Sequence, residues 1–193
     1  LKQRGTIYTS SISVLDGYLR TFTQQFDFMP MDFAVADPDF MGSLTDLKGI
    51  ADDQIPERIT TMMNKPGDYL PGAQQRVETA MKNLKKLQDA GVIIATGTDA
   101  GNIGTLHASS MHQELDIMQK AGLSPTQIII NSTINGAKLM GKEKELGSIE
   151  AGKKADIVIL DKNPLENASN YSAISKVIKN GKTYEPKALL SPS

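Results

Sequence analysis

Residues 92–107 read VIIATGTDAGNIGTLH, an apolar run that breaks into a glycine-punctuated loop holding Asp99 and closing at His107. Two kinds of chemistry fit an aspartate there. Asp-Ala-Gly is ordinary turn chemistry, in which the carboxylate ties backbone amides. The same carboxylate, set just beyond a buried strand, can instead bind a metal, because parallel α/β folds collect active groups at the carboxyl ends of their strands. Position favours the second use, and residue type leaves the first open. His107 and His112 are the two histidines of the chain. Their i, i+5 spacing does not match the i, i+4 pair that faces one metal from a helix. His112 falls within a helical pattern and reads as a surface or packing residue. His107 sits in the loop and is the better functional candidate, its alternative being a hydrogen-bonded loop histidine.

Other patterns carry less. Residues 147–154, GSIEAGKK, fit a phosphate-binding loop except at the last position, where Lys154 replaces the Ser or Thr that would hold magnesium. A strand follows, where that loop needs a helix N-terminus. Turn glycines of a hairpin explain the spacing better. Asn131, Asn167 and Asn170 open N-x-S/T triplets, but Asn131 lies inside an expected helix and such triplets recur by chance. With no cysteine in the chain, disulfides, thiolate zinc sites and thiol nucleophiles are excluded together.

The elements that must position Asp99 and His107 follow from periodicity. Thr6 to Val14 is rich in Thr, Ile, Ser, Tyr and Val and reads as a buried strand between Gly5 and Asp16-Gly17. From about 18 to 73 the pattern is irregular, with Phe22, Phe26, Phe28, Phe33 and Phe40 scattered among Pro30, Pro38, Pro56, Pro66 and Pro71. Short helices and loops are expected there, either as a wall of the site or as a surface insertion with its own satellite core. Order returns at Gln74, where Val77, Ala80, Met81, Leu84 and Leu87 recur at helical spacing up to Gly91, and the strand Val92–Thr96 follows. A second helix is predicted from Ser109 or Ser110 to Gly122, with Ser110 and Gln113 at capping-box spacing. A third runs from Ser124-Pro125 to Met140-Gly141, with Gln127 completing its box. Beyond it the chain is β-rich, with strand candidates at 147–149 and 156–160 and a hairpin from Ile174 through Asn180-Gly181 to Tyr184. The boundary between an α/β part, 1–141, and a small all-β part, 142–193, is placed near residue 141.

Composition sets the outer bounds. The chain has 193 residues, 39% hydrophobic and 22% charged, with a formal net charge of -1. That is ordinary for a folded domain, and the lack of a basic stripe argues against a nucleic-acid partner. The apolar runs are far shorter than a membrane span. LKQRG reads as the cationic last turn of a helix whose body is missing, so the expectation is the C-terminal part of a longer polypeptide.

Taken in order, GVIIATGTDAG, the histidine a few residues on, HQELDIMQKAGLSPTQIIINSTINGAKLMG, LGSIEAGKKADIVILDKNPLEN and VIKNGKTY resemble the C-terminal portion of the amidohydrolase superfamily. Its imidazolonepropionase-like and prolidase-like branch is the nearest in flavour. The resemblance covers about residues 76–184, with RGTIYTSSISVLDGY weakly similar to a seventh barrel strand. It implies an α/β fold: the last part of a (β/α)8 TIM-type barrel followed by a small β-sandwich segment, incomplete in this chain. It implies that Asp99 is a metal ligand and the proton shuttle for a metal-bound hydroxide that attacks the substrate carbonyl. Loop candidates for substrate contact are His107 and Asn102, with Tyr18 and Ser10, just after the seventh strand, as weaker ones. The H-x-H pair, the bridging Lys or Glu and the later histidines of such centres have no counterpart in this chain.

The expected function is therefore hydrolysis of an amide-type C–N bond in a dipeptide-like, N-acyl or cyclic-amide small molecule, with one or two divalent ions, zinc by preference, in the intact enzyme. The chain alone is expected to be inactive, its partner being the missing N-terminal part of the same polypeptide. The alternative is a non-catalytic scaffold or interaction module that has lost the metal. The sequence leaves a homo-oligomer open and does not fix the compartment.

Overall fold

The computed structural model describes residues 1–45 and 57–186. Positions 46–56 of the irregular excursion, Pro56 among them, lie outside the described residues, as does the side chain of Phe40.

Two short strands, β1 (Ile7–Ser10) and β2 (Ile93–Thr96), pair in parallel from Ile7↔Ile93 to Ser10↔Thr96. Their carboxyl ends therefore coincide, and the bond from Gly97 N to Ser10 O (2.7 Å) extends the pairing one step further. The expected strand to Val14 stops at Ser10, and the helix α1 (Ile12–Thr23) takes over, with Asp16 and Gly17 inside it. Side-chain anchors make the break. Ser10 Oγ and Ser13 N both donate to the buried Glu114 carboxylate, which turns the chain out of the sheet plane.

The excursion holds α2 (Pro30–Val35), α3 (Pro38–Thr45) and α4 (Glu57–Asn64), short helices as composition suggested. It does build a satellite core: Met41 and Leu44 bury against Leu106, with Phe26, Phe28 and Ala36 packed round them. Next comes α5 (Pro66–Asp89), which starts well before Gln74 and carries Pro71 inside it. Tyr69 explains the extension, since its ring meets Phe22 of α1 edge-on (6.0 Å, 83°) and lies under the Arg76 guanidinium. Pro66 suits the first helical position, and aromatic contact holds the turn that Pro71 would by propensity break.

Two more expectations need correction. Helix α6 (Ser109–Lys120) has Ala108 as its N-cap, so Ser110 is not the cap but a buried residue of the first turn. The third predicted helix is two: α7 (Pro125–Ser132), opened by the expected reciprocal Ser124–Gln127 box, and α8 (Ile134–Leu139), separated at Thr133 (φ -126, ψ -90). Thr133 Oγ1 bonds back to Ile129 O (2.6 Å), while Asn135 Nδ2 reaches Ile94 O on β2 (2.9 Å) and Asn131 Oδ1 (3.0 Å). A side chain tied to the sheet re-aims the second piece.

One face of the β1–β2 pair is thus roofed by helices. Ile94, Ile12, Leu84, Leu115, Met118, Leu123 and Ile128 form a continuous core, with Tyr8 packed on it. Alternation puts Ile7, Thr9, Ile93 and Ala95 on the other face, where Thr9 is exposed. The tail forms a separate antiparallel sheet in the order β3 (Ile157–Leu160), β4 (Ile174–Lys179), β5 (Lys182–Tyr184). Its hairpin turns through Asn180 and Gly181, both at positive φ, as the Asn-Gly signal predicts. Residues 147–149 are irregular, with bends at 147 and 148, rather than the expected strand. Ala168 N, donating to Gln119 Oε1 (2.5 Å), fastens the tail to α6. Among the described residues no helix is long and apolar enough to cross a membrane.

Candidate active site

The loop 97–108 leaves the carboxyl end of β2 and ends where α6 begins. Asp99 lies in it with left-handed backbone (φ 52) and an exposed side chain. That conformation is open to Asp and Asn more readily than to most residues. The chain then closes on itself through Asn102 N to Asp99 O (3.2 Å), Thr105 N to Asn102 O (2.9 Å) and Gly101 N to Thr105 O (2.9 Å). Asp99 is thus a turn residue by backbone, yet its carboxylate caps none of these amides. Only Oδ2 takes a bond, from Asn102 Nδ2 at 3.3 Å; among the described residues Oδ1 accepts none.

Asn102 is held harder than its neighbour. Its Oδ1 accepts from Tyr18 Oη (2.6 Å) and from Ile103 N (2.8 Å). Tyr18 reaches across from α1, its ring stacked on Phe22 (5.8 Å, 14°). Structure therefore brings Asp99, Asn102 and Tyr18 into one hydrogen-bonded series. His107 lies beside it: its imidazole rests against Gly101, 3.3 Å from where a Cβ would stand, and it is exposed without a hydrogen bond among the described residues. Ser10 is placed otherwise. It is fully buried and its hydroxyl is committed to Glu114 Oε1 (2.5 Å), so it is withdrawn from any substrate.

Glu114, Ser13 and Gly104 are not marked by sequence pattern as parts of the site, and Gly17 marks only a strand boundary there. Glu114 is fully buried; Oε1 takes Ser10 Oγ and Oε2 takes Ser13 N (2.7 Å), while Ser13 Oγ continues to Thr98 O (3.3 Å), next to Asp99. A signal existed: Glu114 sits three residues after Met111 and four before Met118, inside the apolar stripe of α6. A carboxylate at such a position demands buried donors. Gly17 and Gly104 meet backbone to backbone, since a Cβ on Gly104 would lie 2.4 Å from Gly17 O and one on Gly17 2.8 Å from Ile103 O. Here two absent side chains let α1 and the loop touch.

Charge near the loop is mostly neutralised. Arg20 pairs with Asp16 (Nε to Oδ2, 2.9 Å) and gives Nη2 to Gln113 Oε1 (2.9 Å) and Gly104 O (3.4 Å). His112, half-buried on α6, has its pKa lowered by burial, an effect the Asp32 carboxylate partly opposes. No group of three or more His, Asp or Glu side chains able to hold a metal occurs among the described residues. Asp99 fits as one ligand, being exposed with a free oxygen, but these residues do not complete a site. Over the loop, Phe26 stacks on Phe28 (5.0 Å, 4°), Phe33 meets Phe28 edge-on (5.5 Å, 69°), and this excursion grips Leu106, the residue before His107.

A sequence profile of the amidohydrolase family matches residues 45–184. An imidazolonepropionase from a Geobacillus species is 33% identical over 117 residues, 58% of this chain and 27% of that protein. A 5'-deoxyadenosine deaminase from Methanobrevibacter smithii is 28% identical over 115 residues, 56% of this chain and 26% of that one. Among solved structures, a Xaa-Pro dipeptidase with bound methionine in the active site superposes with a TM-score of 0.65 at 26% identity, over 95% of this chain and 36% of that one. The chain thus spans about a quarter of the length of these curated relatives.

Proposed function

The chain belongs to the amidohydrolase family, and from that premise we propose that it supplies the last two strands of a (β/α)8 barrel and a β-sandwich tail to a metal-dependent hydrolase of amide-type C–N bonds. The substrate is a small molecule, dipeptide-like, N-acyl or cyclic amide. Deaminases and a dipeptidase among the relatives share cleavage of a carbon–nitrogen bond. Three things support the barrel: the parallel, in-register β1–β2 pair, the helices on one of its faces, and a chain that spans 36% of the superposed dipeptidase.

A divalent ion, zinc by its taste for imidazole and carboxylate donors, would polarise the scissile carbonyl and make hydroxide available near neutral pH. Asp99 would hold it through Oδ1, together with ligands from elsewhere in the polypeptide. Beside the attacking water, the same carboxylate takes the proton and returns it to the leaving nitrogen. His107, whose exposed imidazole has no hydrogen bond among the described residues, would contact the substrate. The aromatic excursion that grips Leu106 walls the site and excludes water from that side.

One observation carries this reading: Asp99 stands exposed at the carboxyl end of β2, and among the described residues one of its oxygens has no partner. The test is Asp99→Asn in the intact polypeptide, assayed on Xaa-Pro dipeptides and N-acyl amino acids, with zinc content measured in parallel. We expect activity to fall at least about a hundredfold, the scale of a lost acid–base group. Wild-type turnover with metal still bound would remove the assigned role. The second reading is a scaffold without metal. Metal analysis of the purified polypeptide separates the two.

A further inference from the structure

Asn102 and Tyr18 stand out because their polar atoms are used up by each other and by the loop. An asparagine amide has one acceptor end and one donor end, and its flip state is set by what surrounds it. Here two donors, Tyr18 Oη (2.6 Å) and Ile103 N (2.8 Å), converge on Oδ1. Flipping the amide would set NH2 against the Ile103 N–H, whose proton is fixed by the backbone, and would force the Tyr18 hydroxyl to turn round and accept, so Nδ2 faces the other way, where it meets Asp99 Oδ2 (3.3 Å). The orientation of one carboxylate oxygen is thereby determined from α1, the helix that follows the neighbouring strand.

We propose that Tyr18 and Asn102 are positioning residues for Asp99: the Tyr18 hydroxyl anchors the Asn102 amide and the amide engages Oδ2, which orients the carboxylate with Oδ1 turned to the cation. The inference rests on the reading of Asp99 as a metal ligand. It replaces the expectation that both residues touch the substrate. Three features make the series rigid. Tyr18 is clamped by its stack on Phe22. The Gly17–Gly104 contact holds the neighbouring residue of α1 against the loop. Ser13 Oγ ties Thr98 O to the same helix on the other side of Asp99. A carboxylate so held loses little further freedom when it binds a cation, which raises affinity without adding a ligand.

The test is zinc binding to the intact polypeptide by calorimetry, with Tyr18→Phe, Asn102→Ala, their double variant and Asp99→Asn. Tyr18→Phe keeps the stacked ring, so the fold is retained. Each single variant should weaken zinc binding by about three- to tenfold, the scale of one hydrogen bond. The double variant should be no weaker than Asn102→Ala, because both act through one amide. Unchanged affinity in both single variants, while Asp99→Asn lowers it, would overturn the positioning role alone. Fully additive losses would overturn the series, since the two residues would then act separately. If Asp99→Asn itself leaves zinc affinity unchanged, the ligand assignment falls and the inference falls with it.

Discussion

Removing the Glu114 carboxylate is the sharpest perturbation of this fold. It is a fully buried acid whose two oxygens each hold a donor, Ser10 Oγ at 2.5 Å and Ser13 N at 2.7 Å. Glu114→Ala would leave both donors buried without a partner and open a cavity. The Ser10 hydroxyl can rotate, but the Ser13 amide is fixed in the backbone. Losing a charged acceptor under these conditions costs about 3–5 kcal/mol, comparable to breaking a buried ion pair from one side. Glu114→Gln keeps an oxygen for Ser13 N and turns its NH2 toward Ser10 Oγ, so about 1–2 kcal/mol is expected. Ser10→Ala strips one oxygen of its donor, and in a double-mutant cycle with Glu114→Gln the coupling should reach about 1–2 kcal/mol. Urea unfolding followed by circular dichroism gives each value, provided the slope is unchanged between variants. If Glu114→Ala costs under about 1 kcal/mol, or Ser10→Ala and Glu114→Gln simply add, the carboxylate does not organise this turn.

Gly104→Ala, at φ +70 with Gly17 O 2.4 Å from the new Cβ, should cost about 2–5 kcal/mol, from left-handed strain plus a backbone clash. Gly152→Ala, at φ +90 in open space, should cost only the strain, about 1–2 kcal/mol; equal losses on thermal melting would contradict the contact. The His112 pKa is lowered from 6.5 in the fold by burial. Neutral His112 therefore contributes fully above that value, and its share is lost as pH falls through the lower folded value. His112→Gln should flatten the decline of melting temperature with acid below 6.5; an equally steep variant argues against the burial.

Periodicity recovers the helix-rich half well because burial there is one-sided. Leu84 and Leu87 on α5, Leu115 and Met118 on α6, and the Ser124–Gln127 box each follow from local rules. The early end of β1, the break at Thr133 and the start of α5 at Pro66 do not. Each depends on a group far away in sequence: the Glu114 carboxylate, the Ile94 carbonyl that Asn135 reaches, and the Phe22 ring edge-on to Tyr69. The site divides in the same way. Asp99, Asn102, His107 and Tyr18 are singled out by residue type and by place after a strand. Ser10 was grouped with them, since a hydroxyl at a strand end looks the same whether it faces substrate or a buried acid.

By itself, then, the sequence determined the family, the α/β order around residues 76–184 and the loop that carries Asp99, because apolar period, caps and turn residues are local properties. Tertiary structure alone decided what each polar atom does. A hydrogen bond such as Tyr18 Oη to Asn102 Oδ1 links residues 84 apart in sequence. No window of sequence contains both ends. Whether Ser10 is withdrawn, and what holds Asn102 beside Asp99, depend on such distant partners, since a buried donor must find its acceptor wherever the fold brings one near.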